Sequence, residues 1–366
     1  MDICFLSYLN PFDIKSWSGT LYHMTAFLAK QNTVEWIGDN VVSQSYAYRS
    51  KVEYYPEFYA QLYGSILSER INRYNFDVVI VRDYFLGAYL DVSIPIIYIG
   101  DTTFRLFKDN MSLPSKEFEE TADEIERKMI ENADSVIFSS NWAKESAVND
   151  YSCKKEKTHV VEFGANIPAL SEYEIDIRTD ACNLVYIGKE WQRKGGVKVL
   201  DVYRLLKQEE IRCTLTIIGS TPEYKLEVDN DLIIIPHLDK SKKEDLDKLG
   251  QILRKSHFLI LPTKFEPFGI VFCEASAYGV PSIAADVGGV SQPVREGKNG
   301  FLLPPLATAE DYAEKIKTVF SDKESYLKLR ASSRHEYETR LNWDVWSEKV
   351  NKILEDTVEN YKKKNG

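Results

Sequence analysis

The sequence predicts an α/β protein of two doubly wound domains, each a parallel sheet covered by helices. Three observations carry that expectation. The 366 residues exceed what one hydrophobic core ordinarily serves and suit two domains of roughly 150 to 200 residues each. Short β-branched runs alternate with longer helical patterns twice over, the signature of strands crossed over by helices. Between the two series, Pro168-Ala169-Leu170-Ser171-Glu172-Tyr173 has no periodicity and reads as a linker. The expected division is therefore 1–168, 169–341 and a closing segment over 342–366.

Along the first series, strands are expected at 3–9, 33–37, 78–81, 94–99, 135–138 and 158–162, with helices between them, notably 21–30 and 115–132. The second series places strands at 183–187, 213–218, 232–235, 258–261, 282–284 and 300–303. Helices at 197–208, 242–255, 272–278 and 309–320 link them. The last stretch spaces Trp343, Val345, Trp346, Val350, Ile353 and Leu354 as one face of a helix. Two such domains imply a cleft, and open α/β sheets bind ligands at the carboxyl ends of their strands. Neither half contains a repeat or a low-complexity segment.

Composition narrows the partners. An apolar share of 44% with 28% charged residues is that of a globular protein. The net charge of −10 disfavours a nucleic-acid backbone or an anionic lipid surface. The basic clusters Lys154-Lys155-Glu156-Lys157 and Lys362-Lys363-Lys364 are short and read as solvated surface. Cys4, Cys153, Cys182, Cys213 and Cys273 are odd in number and widely scattered, unlike zinc or redox pairs, and suit a reducing compartment. The chain opens as a strand rather than a signal peptide, and no apolar run approaches the roughly 18 residues that span a bilayer. The expected location is the cytoplasm, including the inner membrane face.

The most informative stretch runs from Phe265-Glu266-Pro267-Phe268-Gly269-Ile270-Val271 to Glu274-Ala275 and Gly279-Val280-Pro281. It follows a strand and enters a helix, so the free N–H groups of the first turn face the cleft and suit a phosphate. The dipole contributes about 0.3 to 2 kcal/mol, and each N–H to a charged oxygen about 1.5 to 3 kcal/mol. Glycine at 269 lets the backbone approach a ligand closely. Carboxylates beside an anion cradle cost free energy unless they accept hydrogen bonds from ligand hydroxyls, and sugars carry such hydroxyls. Read without further context, Glu266 could equally cap the helix and Glu274 could be a surface acid.

This pattern, continued by Gly288-Gly289 and Asn299-Gly300, resembles the donor site of family-4 retaining glycosyltransferases of the GT-B fold. The resemblance implies that Glu266 meets the transferred sugar, Glu274 the ribose, and the amides of Phe268, Gly269, Ile270 and Val271 the diphosphate. A second stretch stands where that family carries one: the strand ending in Gly188 runs into Lys189-Glu190-Trp191-Gln192-Arg193-Lys194-Gly195. Cations there would clamp the diphosphate from the other side. Lys194 matches the family directly, whereas the usual arginine is Lys189 here, so Lys189 or Arg193 takes its part.

In the first half, Trp17-Ser18-Gly19-Thr20 stands where relatives carry two glycines, and Gly19 matches the second. Asp101 follows the strand at which many relatives present a histidine to the sugar, with a helix N-cap as the alternative part for it. Ser139-Ser140-Asn141-Trp142 and Glu162-Phe163-Gly164-Ala165-Asn166-Ile167 also look like family stretches, the latter closing the first domain. His237 follows the strand after which relatives hold the base. The expectation is a GT-B protein of two Rossmann-like domains, its last helix returning to the first, which transfers a hexose-type sugar from a UDP- or GDP-linked donor. The acceptor is a saccharide, another hydroxyl compound or a lipid-linked molecule, in glycan or cell-surface polysaccharide biosynthesis. Loops at 43–57 and 105–115 would set specificity.

No cofactor is expected beyond the donor substrate, and no metal. The pairs Asp229/Asp231 and Asp245/Asp247 lie in a turn and a helix, where a shared cation is poorly served. His23, His159, His257 and His335 show no ligand spacing. No Walker loop, Gly-x-Gly-x-x-Gly or Ser/His/Asp order occurs. The competing functions are a glycoside hydrolase using Glu266 and Glu274, a nucleotide-sugar epimerase, and a GT-B module that binds without transfer.

Overall fold

The computed structural model describes residues 1–38, 53–110, 112–169, 180–222 and 229–365. They form two units, Met1–Glu162 with Trp343–Gly366, and Phe163–Asn342. Each unit is built on one six-stranded, wholly parallel sheet.

The strands of the first unit are β1 (Asp2–Leu6), β2 (Thr33–Ile37), β3 (Val78–Val81), β4 (Ile96–Gly100), β5 (Ser135–Phe138) and β6 (Thr158–Val160). Their order is β2-β1-β3-β4-β5-β6. The central strands read as unbroken apolar runs because helices cover both faces; Val78 to Val81 are entirely buried. The helices are α1 (Thr20–Leu28), α2 (Pro56–Ile71), α3 (Tyr84–Gly87), α4 (Phe104–Phe107), α5 (Lys116–Asn132) and α6 (Asn141–Asp150). Ser115 caps α5 and Ser140 caps α6, each hydroxyl accepting an amide of the first turn.

The second unit carries β7 (Cys182–Ile187), β8 (Cys213–Ile218), β9 (Leu232–Ile235), β10 (Phe258–Leu261), β11 (Ser282–Ala285) and β12 (Gly300–Leu303). They lie in the order β12-β11-β10-β7-β8-β9. Its helices are α7 (Gly196–Gln208), α8 (Lys243–Lys255), α9 (Ile270–Ala277), α10 (Ala309–Ser321) and α11 (Lys323–Thr339). Arginines of α11 bind carbonyls at the end of α9: Arg334 donates to Ala277 O and Arg330 to Tyr278 O. They satisfy groups a helix terminus leaves open.

The closing helix α12 (Trp343–Asn365) belongs to the first unit. Trp343 stacks on His23 at 5.9 Å, Ser347 donates to Phe27 O, and Asn32 donates to Asn351. At the other junction, the segment read from sequence as closing the first domain divides at Glu162. Glu162 pairs with Lys349 of α12, whereas Phe163 to Ile167 pack in the second unit. Phe163 meets Phe268 edge-on at 5.3 Å, its carbonyl accepts the Cys273 thiol, and the Ala165 amide donates to Leu341 O. These contacts move the boundary six residues ahead of the expected 168. The linker from residue 170 onward lies outside the described residues, as does 39–52, most of the first expected specificity loop. The second, 105–115, is partly helical, in α4 and a 3₁₀ turn at Lys108–Asn110.

Candidate active site

In the second sheet the chain runs from β7 outward to β9, then returns to place β10 on the other side of β7. The order reverses between β7 and β10. Loops leaving their carboxyl ends diverge at such a point and open a crevice. Lys194 follows β7 and Glu266 follows β10, and the structure brings them together: the Lys194 ammonium bonds the Glu266 carboxylate, with the two side chains 15% and 10% exposed.

Backbone contacts hold the two loops in register. The Lys264 amide donates to Arg193 O at 2.8 Å, and the Thr263 hydroxyl donates to the same oxygen at 3.3 Å. Gly195 has a φ of +76°, and a Cβ there would lie 2.1 Å from Pro262 O. The loop after β11 completes the frame: the Gly289 amide donates to Glu266 O at 3.0 Å. A Cβ on Gly288, whose φ is +57°, would stand 2.4 Å from that same oxygen. Only glycine allows this approach without strain.

Gly269, at a φ of +91°, is the N-cap of α9, with no side-chain cap. Glu266 therefore does not cap the helix. Its Cγ lies 3.3 Å from where a Cβ of Gly269 would be, so the carboxylate arm runs along the helix start. Ile270 and Val271 begin the helix, where first-turn amides lack intrahelical acceptors, and Phe268 is buried against Phe163. The site thus pairs an ammonium and a carboxylate beside an open helix N-terminus.

The cations differ in their commitments. Arg193 bonds both Glu190 oxygens, at 2.6 and 2.7 Å, and donates to Phe265 O at 2.5 Å. The bond to Glu190 pushes the guanidinium up and, first among its causes, draws the Glu190 carboxyl down. Lys189 is exposed and has no ion pair among the described residues.

Glu274 is no surface acid. It is 1% exposed on α9, and its carboxylate pairs with Lys240 of the loop after β9. Sequence reasoning missed Lys240; the available signal was a lysine in the short loop between a strand end and the next helix. His237 stands exposed in the same loop. Asn299 and Gly300 act structurally: the buried Asn299 amide donates to Ser276 Oγ and Pro293 O, and Gly300 lets β12 lie against β11.

The first unit has its own reversal, between β1 and β3. Trp17, Ser18 and Gly19, after β1, have φ of 48°, 58° and 93°. Two non-glycine residues in this region cost about 1 to 3 kcal/mol each. Arg82, after β3, lies 3.8 Å over the Trp17 ring and 3.7 Å from Asp101. Asp101 is not the cap of the next helix, because Thr103 occupies that place. Arg82, a cation directly after an apolar strand, was not singled out from sequence.

Three of the four acids considered for a metal are engaged otherwise. Asp229 accepts the Tyr203 hydroxyl, Asp231 bonds Lys207, and Asp245 accepts the Asp239 amide. Among the described residues, no group of three or more potential ligands converges, and no helix is long and apolar enough to cross a membrane.

Residues 174–336 match the family of glycosyl transferases group 1. The match covers most of the second unit and less than half of the chain. The D-inositol 3-phosphate glycosyltransferase of Jonesia denitrificans is 25% identical over 69% of this chain and 64% of that protein, so the chain spans less than two thirds of its length. Sucrose-phosphate synthase from Thermosynechococcus elongatus aligns over 98% of this chain and 99% of its own, with a TM-score of 0.72 at 17% identity. Anabaena HepE in complex with UDP aligns over 97% and 100%, with a TM-score of 0.71 at 16% identity. At such identities the likeness carries the fold, which is GT-B.

Proposed function

We propose that this protein is a retaining glycosyltransferase that takes a hexose-type sugar from a UDP- or GDP-linked donor. The acceptor is a saccharide or other hydroxyl compound, lipid-linked acceptors included, and the setting is glycan or cell-surface polysaccharide synthesis in the cytoplasm or at its membrane face. The observation that carries the reading is the Lys194–Glu266 pair at the sheet reversal, beside the uncapped start of α9. The family match of the second unit and the nucleotide sugar ligand of a GT-B neighbour, HepE solved with UDP-glucose, support it.

Each residue then has a part. The diphosphate lies at the amides of Gly269, Ile270 and Val271, with Phe268 holding that turn in place. Its arrival draws the Lys194 ammonium from Glu266 to phosphate oxygen and leaves the carboxylate to accept a hydroxyl of the sugar. Lys189 is the second phosphate cation, since Arg193 is committed to Glu190 and Phe265. His237 lies beside the base. In transfer, the bond from the anomeric carbon to phosphate oxygen breaks and the acceptor oxygen bonds that carbon on the same face. The acceptor proton passes to the departing phosphate. Stabilising the charge growing there is the largest catalytic term, and no resident metal or cofactor is needed.

The test is nucleoside diphosphate release from a panel of nucleotide sugars with and without saccharide acceptors. We expect release that depends on acceptor, persists in EDTA and yields a product of unchanged anomeric configuration by NMR. Sugar epimerisation without transfer, or binding without turnover, would replace the proposal with one of its competitors.

A further inference from the structure

The deepest carboxylate of this site has a partner whose part in donor binding is open. Glu274 has a side chain 2% exposed, and its Oε1 is bonded by the ammonium of Lys240, which is 26% exposed. A carboxylate so far from water needs a counter-charge. Among the described residues Lys240 supplies the one ion pair it has.

The lysine is delivered by a built turn. Between β9 and α8 the Asp239 carboxylate accepts the Ser241 amide at 3.0 Å and the Ser241 hydroxyl at 2.6 Å. The Asp239 amide donates to Asp245 at 2.9 Å, and the Lys242 amide returns to Asp239 O at 2.9 Å. Lys240 is thus fixed between residues fastened on both sides of it.

The pairing leaves a defined set of hydrogen-bonding positions. Oε1 of Glu274 is taken, while Oε2 can still accept and the ammonium retains further N–H groups. An acceptor next to a donor complements a vicinal diol: one hydroxyl donates to Oε2 and its neighbour accepts from the ammonium. A sugar with one of the two hydroxyls missing satisfies only half of it.

We propose that Lys240 is a positioning residue that sets Glu274 for a ribose cis-diol and makes donor binding depend on both hydroxyls. The inference rests on the pocket being a nucleotide-sugar site. Lys240 acts through Glu274 and through the diol itself, away from the bond that breaks.

The experiment is calorimetry on the full chain with UDP, GDP and ADP and their 2′-deoxy counterparts, for wild type, Lys240→Met, Lys240→Gln and Lys240→Arg. For the ribonucleotide that wild type binds, loss of the 2′-hydroxyl should weaken affinity about tenfold or more, the scale of one hydrogen bond to a charged group. Lys240→Met should bring that ratio below about threefold by weakening the ribonucleotide, Lys240→Gln should fall between, and Lys240→Arg should restore it. A merely structural lysine would lower the melting temperature and weaken both nucleotides alike; an unchanged ratio in Lys240→Met, or in Lys240→Gln should the first variant not fold, overturns the proposal. Absence of binding by wild type to all six nucleotides would instead remove the reading of the site, and this inference with it.

Discussion

Lys194→Met tests the electrostatics of the site most directly. The variant keeps the side-chain stem, which packs on Gly188, where an added Cβ would lie 3.2 Å from Lys194 Cβ and Cγ. It removes only the ammonium. Two effects then add in the complex with a nucleoside diphosphate. One charge-assisted hydrogen bond to phosphate is lost, about 1.5 to 3 kcal/mol. Glu266, 10% exposed, also loses its counter-charge and faces the anion directly. Two like unit charges roughly 6 Å apart repel by about 3 kcal/mol at an effective dielectric constant of about 20. Water admitted to the site offsets part of this, so the expected loss is about 3 kcal/mol or more, over a hundredfold in Kd. The double variant Lys194→Met/Glu266→Gln removes the repulsion and should regain roughly half of that loss. Calorimetric titration with UDP or GDP measures both. An affinity for Lys194→Met within about threefold of wild type refutes the argument, as does a double variant that binds no better than the single one.

Three further outcomes are expected. Glu266→Ala should lower kcat at least about a hundredfold, the scale of removing one preorganised hydrogen bond from the transition state; a near-normal turnover number removes Glu266 from the chemistry. Gly288→Ala should destabilise the fold by about 1 to 3 kcal/mol in urea unfolding, because the φ of +57° and the 2.4 Å approach to Glu266 O both resist a methyl group, and should lower kcat by displacing Glu266; unaltered stability and turnover would show that the loop yields freely. Glu126 is buried, accepts the Tyr98 hydroxyl and the Phe104 amide, and has its carboxyl pushed up to about 7, chiefly by burial. Between the ordinary carboxyl value and about 7 the folded chain holds a proton that the unfolded chain gives up, so this contribution is full below about pH 4.5 and about 3 kcal/mol of it is lost as pH rises through 7. Glu126→Gln should flatten the stability profile between about pH 5 and 7; the same slope in both proteins refutes that assignment.

Much of the fold was legible because local chemistry repeats along the chain. Runs such as Val78-Val79-Ile80-Val81 and Leu232-Ile233-Ile234-Ile235 lie between turn residues, and both formed strands over those residues. The spacing of Trp343, Trp346, Val350 and Leu354 marked a helix whose buried residues include all four. Harder to place was α11, where the buried face includes Arg330, Ser333, Arg334 and Glu336. Polar side chains there bind carbonyls distant in sequence, and only Tyr326 and Leu329 give the buried face an apolar signature.

Within the site, Glu266, Lys194, Gly269 and Glu274 stood out as residue types in a recognisable order. That order is one-dimensional. Three relations join residues far apart in the chain: Lys194 on Glu266 and Lys240 on Glu274 in the second unit, and, separately, Arg82 over Trp17 beside Asp101 in the first. Each depends on which strands become neighbours when the order of a parallel sheet reverses, or on the turn that carries a side chain to a buried partner. The sequence by itself determined the two α/β series, a helix beginning shortly after Glu266 and the residue types that suit a phosphate and a sugar. Only the tertiary structure decided which charges neutralise one another and which of the neighbouring cations is already occupied, because hydrogen bonds and ion pairs act over a few ångströms of space and not over positions in a chain.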